Sequence, residues 1–192
     1  MGIAARRFRD IFLRTVGKFP DAWYNIHNKK SVTGEHIMRR KDREITDIEK
    51  IKSILAGARY MHLGMFDGEY PYVVPMHYGF ELQGGKLTFY VHCAGEGHKL
   101  DCLRKKANVF VEIDTSEKLV AAETPCGCGA EYGSVMCRGR AAIVEEPAEK
   151  CRALALLMKT QTGLDYAIDE GMAARVTVIR IDAESYTAKA RA

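Results

Sequence analysis

Residues 59–93 read RYMHLGMFDGEYPYVVPMHYGFELQGGKLTFYVHC, and how this stretch turns decides the fold. Asp67-Gly68 separates RYMHLGMF from EYPYVVPMHYGFEL, and Gln83-Gly84-Gly85-Lys86 separates the latter from LTFYVHC. Such Gly-containing pairs between alternating segments are hairpin signals. Hairpin-length links mean antiparallel neighbours, because parallel pairs need crossovers of a dozen or more residues. In LTFYVHC the alternation puts Leu87, Phe89, Val91 and Cys93 on one face, and Thr88, Tyr90 and His92 on the other.

Working outward, Thr46-x-x-Glu49 reads as a capping box. Ile48, Ile51, Ile54, Leu55 and Ala58 then predict an amphipathic helix of about three turns. VFVEID (109–114), a long stretch from Gly133 to Val144, and RVTVIRID (175–182) read as further strands. Pro147 suits the first turn of a helix whose buried stripe is expected at Cys151, Leu154, Ala155 and Met158, with Gly163 as its C-cap. Five or six strands with two or three helices make an α+β fold whose antiparallel sheet closes into a barrel.

Composition narrows the function. Residues 1–44 carry a net charge of +6 and the rest −2, within a total of +4. The main domain, 38–192, therefore lacks the basic footprint of a nucleic-acid binder. No apolar run approaches the ~18 residues of a membrane span, and the N-terminus lacks secretory-signal features, so a cytoplasmic protein is expected. Six Cys without secretory context point to free, mostly buried thiols. Residues 1–37 read as a basic N-terminal extension, with Met38 as an alternative start. Phe8, Phe12 and Val16 give it helical spacing, but Asp10 and Asp21 argue against a targeting helix.

Residues 90–103, YVHCAGEGHKLDCL, hold the candidate chemistry. His92 and Cys93 are adjacent in a strand and point to opposite faces, so they do not share an ion. His98 and Cys102 share a helical face but are only two ligands, and Cys126-x-Cys128 has poor zinc spacing. No metal site is expected, and a Cys–His nucleophile lacks any sharpened context. Ala94-Gly95-Glu96-Gly97 instead reads as a turn into a helix starting near His98, with Leu100, Leu103 and Ala107 inward. The unpaired N–H groups at its start favour an anion. Lys99 in that first turn suits a phosphate.

The chain from about Met38 resembles the FMN-binding split-barrel superfamily, related to pyridoxamine 5′-phosphate oxidase, and within it the nitroimidazole-resistance-protein branch. The resemblance rests on MRRKDREI, GEYPYVVPMHYGFE, GKLTFYVHCAGEGHKLDCLRKKANVFVEID and CGCGAEYGSVMCRGRAAIVEEPAEKCRAL, in the family's order. It implies a six-stranded antiparallel split β-barrel with flanking helices, forming a homodimer with FMN at the subunit interface. It implies that the flavin ring lies along Val74, Pro75, Met76, His77 and Tyr78, and that the phosphate lies near His92, Gly97, His98 and Lys99. Tyr132, Ser134 and Val135 would approach from the second subunit, and His77 is the candidate catalytic residue. The implied activity is reduction of small electrophiles such as nitroaromatics with electrons from NAD(P)H. A non-catalytic flavin- or haem-binding protein of the same fold is the alternative, with His62, His77 or His92 as haem ligand. Two departures stand out: the Trp-rich, Arg-containing C-terminal signature of true pyridoxamine phosphate oxidases is missing, and Cys128 replaces the Trp usual in the branch.

Overall fold

A computed structural model describes residues 38–191. The basic N-terminal extension expected over residues 1–37 therefore lies outside the described residues. The described fold belongs to a compact unit from Arg40 to the C-terminus.

Among the described residues eight strands form one antiparallel sheet: β1 (Glu44–Ile45), β2 (Met61–Phe66), β3 (Pro71–Met76), β4 (Gly79–Gln83), β5 (Lys86–Cys93), β6 (Asn108–Val120), β7 (Gly129–Val144) and β8 (Thr177–Arg191). The expected six is too few. The run expected as one strand over 69–82 breaks at His77 and Tyr78 into β3 and β4, and Glu44–Ile45 adds a two-residue strand beside Lys189 and Ala188 of β8. Among the described residues four α-helices flank the sheet: α1 (Ile48–Gly57), α2 (His98–Lys105), α3 (Pro147–Thr162) and α4 (Glu170–Ala173).

The strand order is β3-β2-β6-β7-β8-β5-β4, with β1 off this path on β8. The two outermost strands, β3 and β4, are consecutive in sequence and joined only by His77 and Tyr78. Three Cα–Cα steps span at most about 11 Å. The sheet must therefore roll until its edges meet, and the chain itself closes the barrel where hydrogen bonds do not. Pro71 and Pro75 sit on edge strand β3, where a missing N–H breaks no ladder.

The interior is filled by alternate residues, among them Leu63, Phe89, Val91, Val111, Ile113, Val135, Ile179 and Ile181, each 0% exposed. Gly84 and Gly85 have φ of 57° and 79°, which suits the tight β4–β5 turn. The Asp67-Gly68 hairpin has a longer, four-residue loop: Phe66 pairs with Pro71, and Asp67 Oδ1 accepts from the N–H groups of Glu69 and Tyr70.

Three helix details differ from expectation. The N-cap of α1 is Asp47, whose carboxylate accepts from the N–H groups of Glu49 and Lys50. Thr46 lies one residue too early for its hydroxyl to cap. Helix α2 buries Leu100, Cys102 and Leu103, and Ala107 lies beyond its end. Helix α3 buries Ala153 and Leu157 most deeply, a phase turned from the expected stripe. The reason is its bed: α3 lies on the outer face of β4 and β5, where Tyr90, Val144 and Val178 accept the small Ala153. A Cβ on Gly79 would stand 2.7 Å from the Leu157 backbone, so glycine sets how close α3 comes. This covering also explains why Thr88 and Tyr90, predicted on the outer face of β5, are buried. Pro147 opens α3 and Gly163 is its C-cap with φ of 74°, both as predicted, while Glu146 is the N-cap and accepts from the N–H groups of Ala148 and Glu149. Among the described residues no helix is long and apolar enough to cross a membrane.

Candidate functional site

The site is built where the barrel is pinned shut. Along β3 the side chains of Val74 and Met76 are half-buried against the core, while Val73 and Pro75 face outward. His77 follows, exposed, and Tyr78 turns inward, 0% exposed. The Tyr78 hydroxyl donates to the Leu55 carbonyl at 2.6 Å, and burial pushes its phenol far above the usual range. The Tyr78 side chain is thus a core element, and what it offers the site is its backbone.

His77 is tightly placed for an exposed residue. Its Nδ1 lies 3.1 Å from the Arg59 carbonyl oxygen and 3.2 Å from Gln161 Oε1. The Tyr60 ring packs on it at 4.6 Å between centroids. Gln161, in the last turn of α3, donates from Nε2 to the Tyr78 carbonyl at 2.8 Å. Gln161, Arg59 and Tyr60 carried no local sequence signal, because their meeting depends on α1 and α3 packing to either side of the link.

The strand-turn-helix of residues 90–103 forms as predicted. Strand β5 ends at Cys93 and α2 begins at His98, with Gly97 at its N-cap, φ 136°. No side chain caps this end. Leu100 and Asp101 donate backbone N–H groups to the Gly97 carbonyl. Lys99 reaches back across the turn, its Nζ 3.0 Å from Met76 Sδ.

Three cationic or titratable groups converge here. His92 is held below its ordinary value by burial first, then by the neighbouring charges of His77 and Lys99. Burial likewise raises the Cys93 thiol, which Lys99 partly offsets. His98 faces elsewhere: its ring meets the edge of Tyr72 at 4.8 Å, and Nε2 lies 3.6 Å from Cys102 Sγ. Of the residues assigned to a phosphate, the structure gathers His92 and Lys99 beside His77 and Met76. It directs the His98 ring toward Tyr72.

Tyr132, Ser134 and Val135 lie on β7, away from this cluster. Val135 is fully buried, Ser134 pairs with Asp114 across the sheet, and the Tyr132 hydroxyl receives a hydrogen bond from Arg43 at 3.2 Å. The outer face of β2, β3, β6 and β7 nearby carries exposed Phe66, Val73, Phe110 and Met136. A shallow, mainly apolar groove of about 440 Å³ runs between Phe66, Val73, Phe110 and Gly139. Beside it, His62, Glu112 and Asp114 bring ligand-type atoms within 4.8 Å of one another, with His62 Nδ1 3.0 Å from Glu112. All six cysteines are free, but only Cys102 and Cys137 are fully buried; Cys126 and Cys128 are exposed on the loop before β7, contrary to the expectation of core thiols.

The family model for pyridoxamine 5′-phosphate oxidase matches residues 47–190. Among solved structures, a candidate 5-nitroimidazole antibiotic resistance protein from Bacteroides thetaiotaomicron VPI-5482 is 30% identical. It superposes with a TM-score of 0.66 over 77% of this chain and 86% of its own. The flavocytochrome Anf3 from Azotobacter vinelandii (20% identity, TM-score 0.66, 82% of this chain and 73% of its own) shares the fold. So does an FAD and haem binding protein from Mycobacterium smegmatis (16%, 0.64, 77% and 73%). No curated protein matches in sequence.

Proposed function

We propose, from the premise that the chain belongs to the pyridoxamine 5′-phosphate oxidase family of flavin-binding split barrels, that it is an FMN-dependent oxidoreductase. In this reading it works as a homodimer, taking electrons from NADH or NADPH and passing them to small electrophiles such as nitroaromatics, 5-nitroimidazoles among them. The 30% identity to a candidate 5-nitroimidazole resistance protein supports that substrate class.

The observation that carries the reading is the state of Lys99. Its ammonium is part-buried, and the side-chain contact it makes is with a thioether, a weak acceptor. An ammonium so placed, beside His92 and the uncapped start of α2, suits a phosphate. Lys99, His92 and the Gly97–His98 backbone would hold that group. The β3 backbone at Val74, Pro75 and Met76 would run along one side of a flat slot, with Tyr78 likewise contributing backbone only. Tyr132, Ser134 and Val135 of a second copy would complete it, Val135 through its main chain. A bound flavin supplies hydride acceptance from the nicotinamide and electron donation to the substrate. His77 then holds or delivers a proton beside the slot, and the close-packed Val and Met side chains exclude water. The exposed Phe66–Val73–Phe110–Met136 face is the surface the second copy would cover.

An absorbance titration tests the reading. Protein mixed with FMN and then desalted should stay yellow, bleach anaerobically with NADH or NADPH, and recover its colour on adding a 5-nitroimidazole. A protein that takes up no flavin overturns it. A Soret band with haem and no nicotinamide-driven bleaching would select the binding-module alternative.

A further inference from the structure

We infer that Gln161 is a positioning residue that fixes the tautomer of His77, so that the imidazole offers Nε2, and not Nδ1, to whatever binds at the site. The argument needs only donors and acceptors. A backbone carbonyl accepts and does not donate. The Tyr78 carbonyl, 2.8 Å from the Gln161 amide, therefore dictates which end of that amide is nitrogen. Oε1 is then the end that faces His77, at 3.2 Å. The second neighbour of Nδ1, the Arg59 carbonyl at 3.1 Å, is also an acceptor only. Nδ1 meets two acceptors and must carry the proton. In a neutral imidazole the other nitrogen is then unprotonated.

The consequence is directional. A neutral His77 presents a lone pair at Nε2, and a protonated His77 presents an N–H there. Either way the nitrogen that exchanges a proton with a ligand is fixed before the ligand arrives. The Tyr60 ring, 4.6 Å away, limits rotation of the imidazole. The device is tertiary: Gln161 lies 84 residues beyond His77, on the helix that Gly79 allows to lie close against β4. The catalytic use of Nε2 rests on the oxidoreductase reading above; the tautomer itself does not.

The test is a long-range proton–nitrogen correlation spectrum of the 15N-labelled full chain, without flavin, at a pH where the ring is neutral. The His77 signals are those missing in His77→Asn. The wild type should show Nδ1 as the protonated nitrogen and Nε2 as the bare one. Gln161→Leu, or Gln161→Met if the leucine variant does not fold, leaves only the Arg59 carbonyl at Nδ1 and should raise the Nε2–H fraction of His77 measurably above the wild type. Gln161→Glu keeps an acceptor at Nδ1 and should preserve the wild-type pattern. An Nε2–H tautomer in the wild type overturns the inference. So does an unchanged tautomer in a folded Leu or Met variant. An FMN titration on the same samples separates the two readings: no flavin uptake with an Nδ1–H ring rejects the oxidoreductase and leaves the tautomer standing. If both hold, Gln161→Leu should lower kcat for nitro reduction about tenfold with little change in FMN affinity.

Discussion

The Lys99 ammonium lies 3.0 Å from the sulfur of Met76, so α2 and edge strand β3 meet through a cation and a thioether. An oxyanion offers Lys99 far more than sulfur does, since hydrogen bonds between charged groups contribute about 1.5–3 kcal/mol each. Lys99→Ala should weaken FMN about 10- to 100-fold, the range that such a loss implies. Flavin fluorescence titration reads the affinity, and an unaltered melting curve shows that the fold is kept. Unchanged affinity would remove Lys99 from the site.

Tyr78→Phe isolates a single buried hydrogen bond. The substitution leaves the Leu55 carbonyl without the hydroxyl now 2.6 Å away. An orphaned buried acceptor costs about 1–2 kcal/mol, which at this chain length is a fall in melting temperature of about 3–6 °C. Differential scanning calorimetry measures it. A variant as stable as the wild type would mean that the carbonyl finds another partner.

Gly79→Ala tests how α3 is seated. The new methyl would lie 2.7 Å from both Cα and N of Leu157, which are helix backbone and cannot turn aside. Helix α3 must shift, at a cost of about 1–3 kcal/mol for overpacking, and Gln161 shifts with it. Lower stability is expected together with weakened protection of the His77 ring, read by urea unfolding and by ring nitrogen shifts. A neutral effect would show that the helix rides loosely on β4.

The pH dependence of stability has a definite sign at His92. Burial, then His77 and Lys99, hold its folded-state value below the ordinary 6.5. The unfolded chain therefore binds the proton more readily, and stability is lost as pH falls through about 6.5 toward the folded value. The urea midpoint should decline over that window, and His92→Gln should flatten the decline. An identical slope in the variant would assign the effect to other groups. An added phosphate or FMN should reverse the trend, because an anion favours the protonated ring.

The exposed apolar face predicts assembly. Phe110 is 41% exposed beside Phe66, Val73 and Met136. Light scattering after gel filtration should give twice the 21.5 kDa chain mass, and Phe110→Asp should give a monomer that no longer retains FMN. A monomeric wild type would exclude a site shared between two copies.

Both hairpin turns and the turn into α2 were legible in residues 59–105, because alternation and glycine turns are local properties of the chain; the break at His77–Tyr78 between β3 and β4 was not, because no turn residue marks it. Helix caps were legible to within one residue: Asp47, not Thr46, accepts the free N–H groups of α1. The phase of α3 was not legible. Several of its faces are moderately apolar, and only the bed of Tyr90, Val144 and Val178 selects Ala153 and Leu157.

The sequence by itself determined an antiparallel α+β barrel and a strand-turn-helix carrying His92 and Lys99, since both follow from neighbours in the chain. The tertiary structure decided which residues face that element. Rolling the sheet until β3 and β4 meet at His77–Tyr78 brings Met76 to Lys99 and Gln161 to His77. Contacts between residues 23 and 84 positions apart leave no trace in local periodicity, because the fold, and not the spacing, sets their distance.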